Sequence, residues 1–393
     1  MKVLMLGWEL PPYNSGGLGE ACLGLAKSLV EKGEKVVFVL PERHDLDIDF
    51  MEVEFADIKE SVKKLQSSYE ISSKWVSKYR KLGFTPYDFV NAAIVYAERI
   101  ADIAKKHNPD VIHAHDWLTF LAGIEAKRVT KKPLVCHVHS TEYDRTGGHY
   151  PNPLVYEIEK NGLEEADKVI AISKLQKNII VRNYGIDSDK IEVVYNGATQ
   201  FEKKDLPPAL IAMKDLGYRV VLFLGRITLQ KGPEYFVRAA KRVLEFEQKT
   251  IFVVTGSGDM QGKMIEEAAS LGIMDNFIFT GFLRGDERDR IFQAADLYVM
   301  PSVSEPFGLT PLEAIANGAP VLISKQSGVS EVLSHALKVD FWDTDEMANK
   351  ILAVIKYAPL KNDLQLNSHM ELANITWDRS AEKCVDIYNR VVH

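Results

Sequence analysis

The chain has 393 residues, 46% of them hydrophobic and 26% charged, with a formal net charge of −7. That length exceeds what one core usually fills, so two domains of an ordinary soluble globular protein are expected. The acidic balance, with Lys and Arg scattered, argues against a nucleic-acid or polyanion binder. Cys22, Cys136 and Cys384 lie too far apart for a disulfide framework or a Cys-pair zinc site.

The apolar run at residues 1–8 stops at Glu9 and Pro11-Pro12. It is too short for a secretory signal and reads as a buried first strand. No run reaches the length needed to cross a bilayer, so a cytoplasmic, soluble chain is expected. Short β-branched runs then alternate with amphipathic helices, the pattern of a parallel sheet covered on both faces. In the first half, strands are predicted at 2–6, 35–40, 110–114, 134–139, 168–172 and 191–194. Helices at 18–31, 88–106, 117–129, 154–166 and 174–184 connect them. Residues 42–87 are the least regular part, a solvated insertion or a flap. Strands follow at 219–224, 250–255, 276–280, 297–300 and 321–323.

The two series meet at 196–216, where Pro207-Pro208 and a Lys-Lys-Asp cluster suit a linker. The expected division is a first domain over 1–196 and a second over 197–377. Whether a last helix within 378–393 returns to the first domain is left open. Each half is expected to be doubly wound, with ligands at the carboxyl ends of its strands and a central cleft between the two.

Motifs sit at those strand ends. Gly16 and Gly17 follow the first strand and open a helix, which suits a plain turn or close backbone approach to an anionic ligand. In the second half, Arg226 and Lys231 flank a short loop before Gly232-Pro233. Two cations beside a helix start repel each other unless an anion lies between them, and a diphosphate suits both. Gly256, in Thr255-Gly256-Ser257-Gly258, forms another strand-to-helix turn, and as the second in this half it adds modest support for a nucleotide-binding cleft. The segment from Ser302 to Glu313 places Glu305 and Glu313 around Pro306-Phe307-Gly308-Leu309-Thr310, where a strand gives way to a helix. An acid, backbone N–H groups and a positive helix end then gather at one spot.

His113-Ala114-His115-Asp116 and His137-Val138-His139 end two strands of the first half. Such a set can ligate zinc, yet no Glu-x-x-His or Cys partner completes a recognisable site, so no metal is assigned. Asp116 and His139 are expected to face a substrate, and His113 and His137 to be core histidines bonded to backbone. Asp343 is expected to cap a helix rather than bind a metal.

Together the Gly-Gly loop, His-Ala-His-Asp-Trp, His-Val-His-Ser, Gly-Arg-(x4)-Lys-Gly and Glu-(x7)-Glu resemble the retaining glycosyltransferases of the two-Rossmann-domain (GT-B) architecture. The closest groups are the glycogen and starch synthases and the family-4 glycosyltransferases, and the resemblance spans nearly the whole chain. It implies that a hexose moves from a UDP- or ADP-sugar to a sugar or glucan hydroxyl, with no metal or other cofactor.

By the same resemblance, Arg226 and Lys231 bind the donor diphosphate, and Glu305 holds donor-sugar hydroxyls with help from N–H groups of Phe307, Gly308 and Leu309. Glu313 takes the ribose, Thr310 a phosphate, and Leu283 lies near the base. His139 sits beside the donor sugar and Asp116 on the acceptor side, while Gly16 and Gly17 approach diphosphate and acceptor. The glucan synthases carry Lys-x-Gly-Gly where this chain has Asn14-Ser15-Gly16-Gly17, which favours a family-4 enzyme with a different or smaller acceptor. Arg145, in a long polar segment over 141–149, is either a contact for an anionic acceptor or part of a solvated loop. A phosphorylase using pyridoxal phosphate and a catalytically silent sugar-nucleotide binder are the rival readings.

Overall fold

The computed structural model describes residues 1–14, 16–58, 88–148, 150–199, 204–206 and 208–393. The chain forms two units, Met1–Gly197 with Trp377–His393, and Ala198–Thr376.

The first unit is built on a seven-stranded parallel sheet. Its strands are β1 (Lys2–Leu6), β2 (Lys35–Leu40), β3 (Glu52–Phe55), β4 (Val111–His115), β5 (Leu134–Val138), β6 (Lys168–Ala171) and β7 (Ile191–Val193), in the order β3-β2-β1-β4-β5-β6-β7. Alternate residues of one strand serve opposite cores, as the period of two requires. Leu4, Leu6, Ile112 and Ala114 pack on one side with helices Asp88–His107 and Trp117–Thr130. Val3, Met5, Val111 and Val135 pack on the other with helices Gly17–Glu31 and Trp377–Val392. Those last two helices approach closely because Gly24 has no side chain; a Cβ there would lie 2.5 Å from the Trp377 ring.

The second unit repeats the plan with β8 (Arg219–Leu224), β9 (Thr250–Thr255), β10 (Phe277–Gly281), β11 (Leu297–Met300), β12 (Val321–Ser324) and β13 (Leu337–Val339). Their order is β10-β9-β8-β11-β12-β13, again all parallel. Phe223, Phe236, Phe252 and Phe277 form its aromatic centre, each buried ring contributing about 1.5–3 kcal/mol. In both sheets the winding direction reverses at one point, between β1 and β4 and between β8 and β11. Loops at the carboxyl ends of those strands diverge and leave a crevice for a ligand.

Several expectations need correction. Strand β3 lies in the segment read as irregular, and residues 59–87 of that segment lie outside the described residues. Ser15, His149 and Pro207 lie outside them too. The stretch read as a linker contains a helix, Pro208–Asp215. β13 and the start of the last helix at Trp377 were not anticipated. Asp343 does cap helix Thr344–Lys356, its carboxylate accepting from the Glu346 N–H at 3.0 Å. Among the described residues no helix is long and apolar enough to cross a membrane.

Candidate functional site

The second unit gathers its motif residues at the β8/β11 switch. Behind β8, the chain turns through Arg226, a one-turn helix Leu229–Lys231 and Gly232 into helix Pro233–Leu244. Behind β11, it runs through Pro301 and Glu305 to Gly308, which opens helix Leu309–Ala316 from a positive φ of 103°. The two loops are joined by a hydrogen bond from the Val303 N–H to the Gln230 carbonyl, 2.9 Å. At Gly232 a Cβ would lie 2.2 Å from the Pro301 carbonyl oxygen, so only glycine lets the loops meet.

This arrangement brings Lys231 and Glu305 into a direct ion pair, with Glu305 buried. The Glu305 loop is held from behind. Its N–H donates to Gln326, and its carbonyl and that of Phe307 accept from Gly328 and Val329. Phe307 is buried and anchors the loop. Leu309 and Thr310 supply first-turn N–H groups, which a helix cannot bond internally, and Pro311 has none to give. Thr310 accepts a hydrogen bond from the Tyr298 hydroxyl at 2.8 Å. With Lys231, Tyr298 and Ser302 it lines a small pocket between β8 and β11. Arg226 is exposed and has no ion-pair partner among the described residues.

Glu313 lies on the same helix but turns to Arg288 of helix Gly285–Ala294, 3.2 Å away. Leu283 is half-buried on the loop behind β10. Gly256 has a structural duty: its φ is 132°, and a Cβ would lie 2.0 Å from the Gly225 carbonyl oxygen. The loops behind β8 and β9 cross there, and the Ile227 N–H bonds Ser257 across the crossing.

In the first unit, β4 and β5 deliver Asp116 and His139 together. Asp116 has φ 60° and ψ 170°, a strained conformation for a residue with a side chain. Its buried carboxylate accepts the N–H groups of His139 at 2.6 Å and Ser140 at 3.2 Å. Burial pushes its carboxyl up to about 6, opposed by the Arg145 charge. Gly17 opens helix Gly17–Glu31, and a Cβ on Gly16 would meet nothing within 4 Å among the described residues, so their packing does not demand glycine there. The Asn14 side chain bonds the Gly16 carbonyl at 2.9 Å.

Two readings of this unit change. Arg145 is neither a solvated residue nor an open anion contact: it pairs with Glu142 at 3.0 Å and Glu159 at 2.6 Å. His113 and His137 are core residues, but they bond each other at 3.1 Å rather than backbone, and Tyr388 bonds His113 at 2.6 Å. His115 likewise bonds His139 at 2.9 Å. The sequence also left Arg288, Tyr298 and Ser302 without roles. Only the side-chain geometry of neighbouring elements reveals the first two. Ser302 stands out because its buried hydroxyl oxygen has no hydrogen-bond partner among the described residues.

Comparison with known proteins agrees with this architecture. The Glycosyltransferase Family 4 model matches residues 15–199, and the Glycosyl transferases group 1 model matches 211–369. An uncharacterized glycosyltransferase of Methanocaldococcus jannaschii is 31% identical, over 99% of this chain and 98% of its own. A glycogen synthase of Mycobacterium tuberculosis is 27% identical over 85% of this chain and 80% of its own. The crystal structure of Anabaena HepE in complex with UDP and glucose superposes with a TM-score of 0.74 at 18% identity, covering 99% of this chain and 100% of that one. Two Rossmann-like sheets of matching order, motif loops at both switch points and a full-length relative lead to one assignment: the chain belongs to the family-4-like glycosyltransferases of GT-B architecture.

Proposed function

We propose that the protein is a retaining glycosyltransferase that moves glucose or a similar hexose from UDP- or ADP-sugar to a hydroxyl acceptor, without a metal. The observation that carries this reading is the Lys231–Glu305 pair beside Arg226 at the β8/β11 switch. Departure of a nucleoside diphosphate builds negative charge on phosphate and positive charge on the sugar. Arg226 and Lys231 stabilise the first as fixed cations, and the Glu305 carboxylate grips the sugar hydroxyls. First-turn N–H groups of Leu309 and Thr310 add dipoles that favour phosphate. Glu313, steadied by Arg288, takes the ribose, and Leu283 lies toward the base. On the first unit, His139 and Asp116 serve the donor sugar and the acceptor side, and Gly16 and Gly17 allow close approach.

The chemistry needs no second carboxylate of the glycosidase kind, since the leaving phosphate can take the acceptor's proton on the same face. The bound UDP and glucose of the Anabaena relative favour a uridine nucleotide and a hexose. A glucan acceptor is the second reading, favoured by the glycogen synthase relative. Against it, Asn14 stands where those enzymes carry lysine, and its amide is engaged within its own loop. The deciding experiment follows nucleoside diphosphate release across UDP-, ADP- and GDP-sugars with sugar and glucan acceptors. Turnover with one donor supports the proposal; nucleotide binding with no turnover or hydrolysis would make the protein a sugar-nucleotide sensor.

A further inference from the structure

Four histidines share one face of β4 and β5. His113 and His115 are two apart on one strand, His137 and His139 two apart along the neighbouring chain, and all four are buried. Their rings stack, with centroids 5.2 Å apart for His113 and His137 and 4.4 Å apart for His137 and His139. Each ring holds one proton, because burial pushes all four below their ordinary range; His113 and His139 are lowered to about 3.

Where those protons sit follows from the hydrogen bonds. His115 Nδ1 meets His139 Nε2, and one ring must donate. The other nitrogen of His115, Nε2, is buried with no partner among the described residues, and so is His137 Nε2. A buried N–H with nothing to donate to is among the rarest features of folded proteins, whereas an unused lone pair is better tolerated. Placing the proton on His115 Nδ1 leaves only a lone pair at its Nε2. The same choice at the second pair puts the proton on His137 Nδ1, which donates to His113 Nε2. His113 then donates from Nδ1 to the Tyr388 oxygen, and Tyr388 turns its own proton to Cys384. One arrangement therefore gives the N–H of His113, His115 and His137 each an acceptor.

We infer that all four imidazoles are neutral Nδ1–H tautomers, and that His115 is a positioning residue which compels His139 to present an N–H donor, not a basic nitrogen, to a ligand at the carboxyl end of β5. His139 accepts at Nε2 from His115, so its remaining nitrogen must carry hydrogen. It can hold an oxygen atom of a sugar or phosphate but cannot take a proton as a general base. This functional half rests on the reading of His139 as a donor-sugar contact.

The test is a nitrogen-15 and proton correlation spectrum of the full-length protein with labelled histidine, recorded at pH 7 without ligand, with His139 assigned from His139→Asn. Neutral Nδ1–H signatures for His113, His115, His137 and His139 are expected. An Nε2–H signature at His139 overturns the inference. So would a shift of the His115 and His139 signals on adding Zn²⁺, because the Cys22 thiol and these two rings lie close enough to hold an ion.

Two variants carry the functional half. Asn places an N–H near the Nδ1 position and Gln near Nε2, so His139→Asn should keep about tenfold more activity than His139→Gln. The reverse ranking overturns the donor role. In His115→Ala, if it folds, His139 should shift toward Nε2–H; an unchanged tautomer would remove His115 from the argument. Absence of turnover with every donor would defeat the transferase reading alone, since the tautomers are read without substrate.

Discussion

Lys231 meets Glu305 before any ligand arrives, so a diphosphate must compete with a carboxylate for its cation. The pairing keeps the lysine aimed, and it gives Glu305 a second effect beyond gripping the sugar. Lys231→Ala or Arg226→Ala should cost about 3 kcal/mol or more of transition-state stabilisation, read as kcat/KM. Near-normal rates in both variants would sink the diphosphate assignment. Asp116 offers a different test, through pH. Its folded pKa of about 6 lies above the ordinary carboxyl value because burial penalises the charge. The stability it contributes is therefore full below about pH 4 and is lost as pH rises through about 6, a swing of about 3 kcal/mol. Thermal melts at pH 4.5 and 7.5 should show Asp116→Asn losing this component of the difference, with activity reduced. An unchanged pH response would mean that Asp116 is not the group responsible.

At the scale of elements, backbone crossings at the strand ends hold the site together. Gly256→Ala would drive a Cβ into the Gly225 carbonyl at a φ that side chains avoid. It should destabilise the second unit by about 1–3 kcal/mol, measured by chemical denaturation, and weaken nucleotide binding with it. A fully stable variant would show that the β8 and β9 loops part without strain.

Much of this was legible in the sequence, because apolar runs, glycine pairs and charged loops recur at strand-to-helix turns whose order is fixed by the parallel sheet. What stayed hidden has a physical pattern. The β3 sequence, Glu-Val-Glu-Phe, alternates charge at a sheet edge, where Glu54 meets Lys106 at 2.9 Å and also His107, so it reads as irregular polar chain. Arg145 looked available because one of its partners, Glu159, lies fourteen residues on in another helix. Arg288 and Glu313 meet across two helices, and no spacing rule links them. Gly256 was read from its turn as part of a nucleotide cleft, and the close approach of the Gly225 backbone that it also permits has no signature in the sequence.

At the scale of the molecule, the reading of the leaving group by fixed cations predicts that EDTA leaves activity intact. Strong inhibition, reversed by a divalent ion, would point back to the histidine cluster as a metal centre. The helix Trp377–Val392 belongs with the first unit, where Ile387 and Tyr388 complete one side of the sheet. Tyr388→Ala should therefore lower the stability of that unit by about 3 kcal/mol, seen as an earlier thermal transition, while nucleotide binding by the second unit persists. Loss of both together would show that the units unfold as one.

The same helix sets an order of events during synthesis. The first unit's sheet emerges early, yet the cover for one of its faces is encoded after the whole of the second unit. At about 5–20 residues per second, the roughly 180 intervening residues take about 10–40 s to translate. Through that interval Val3, Met5 and Val135 lack one wall of their core, while the second unit has everything it needs to fold. The half that emerges first is thus the half completed last, and an arrested or truncated chain would leave its apolar face open to chaperones.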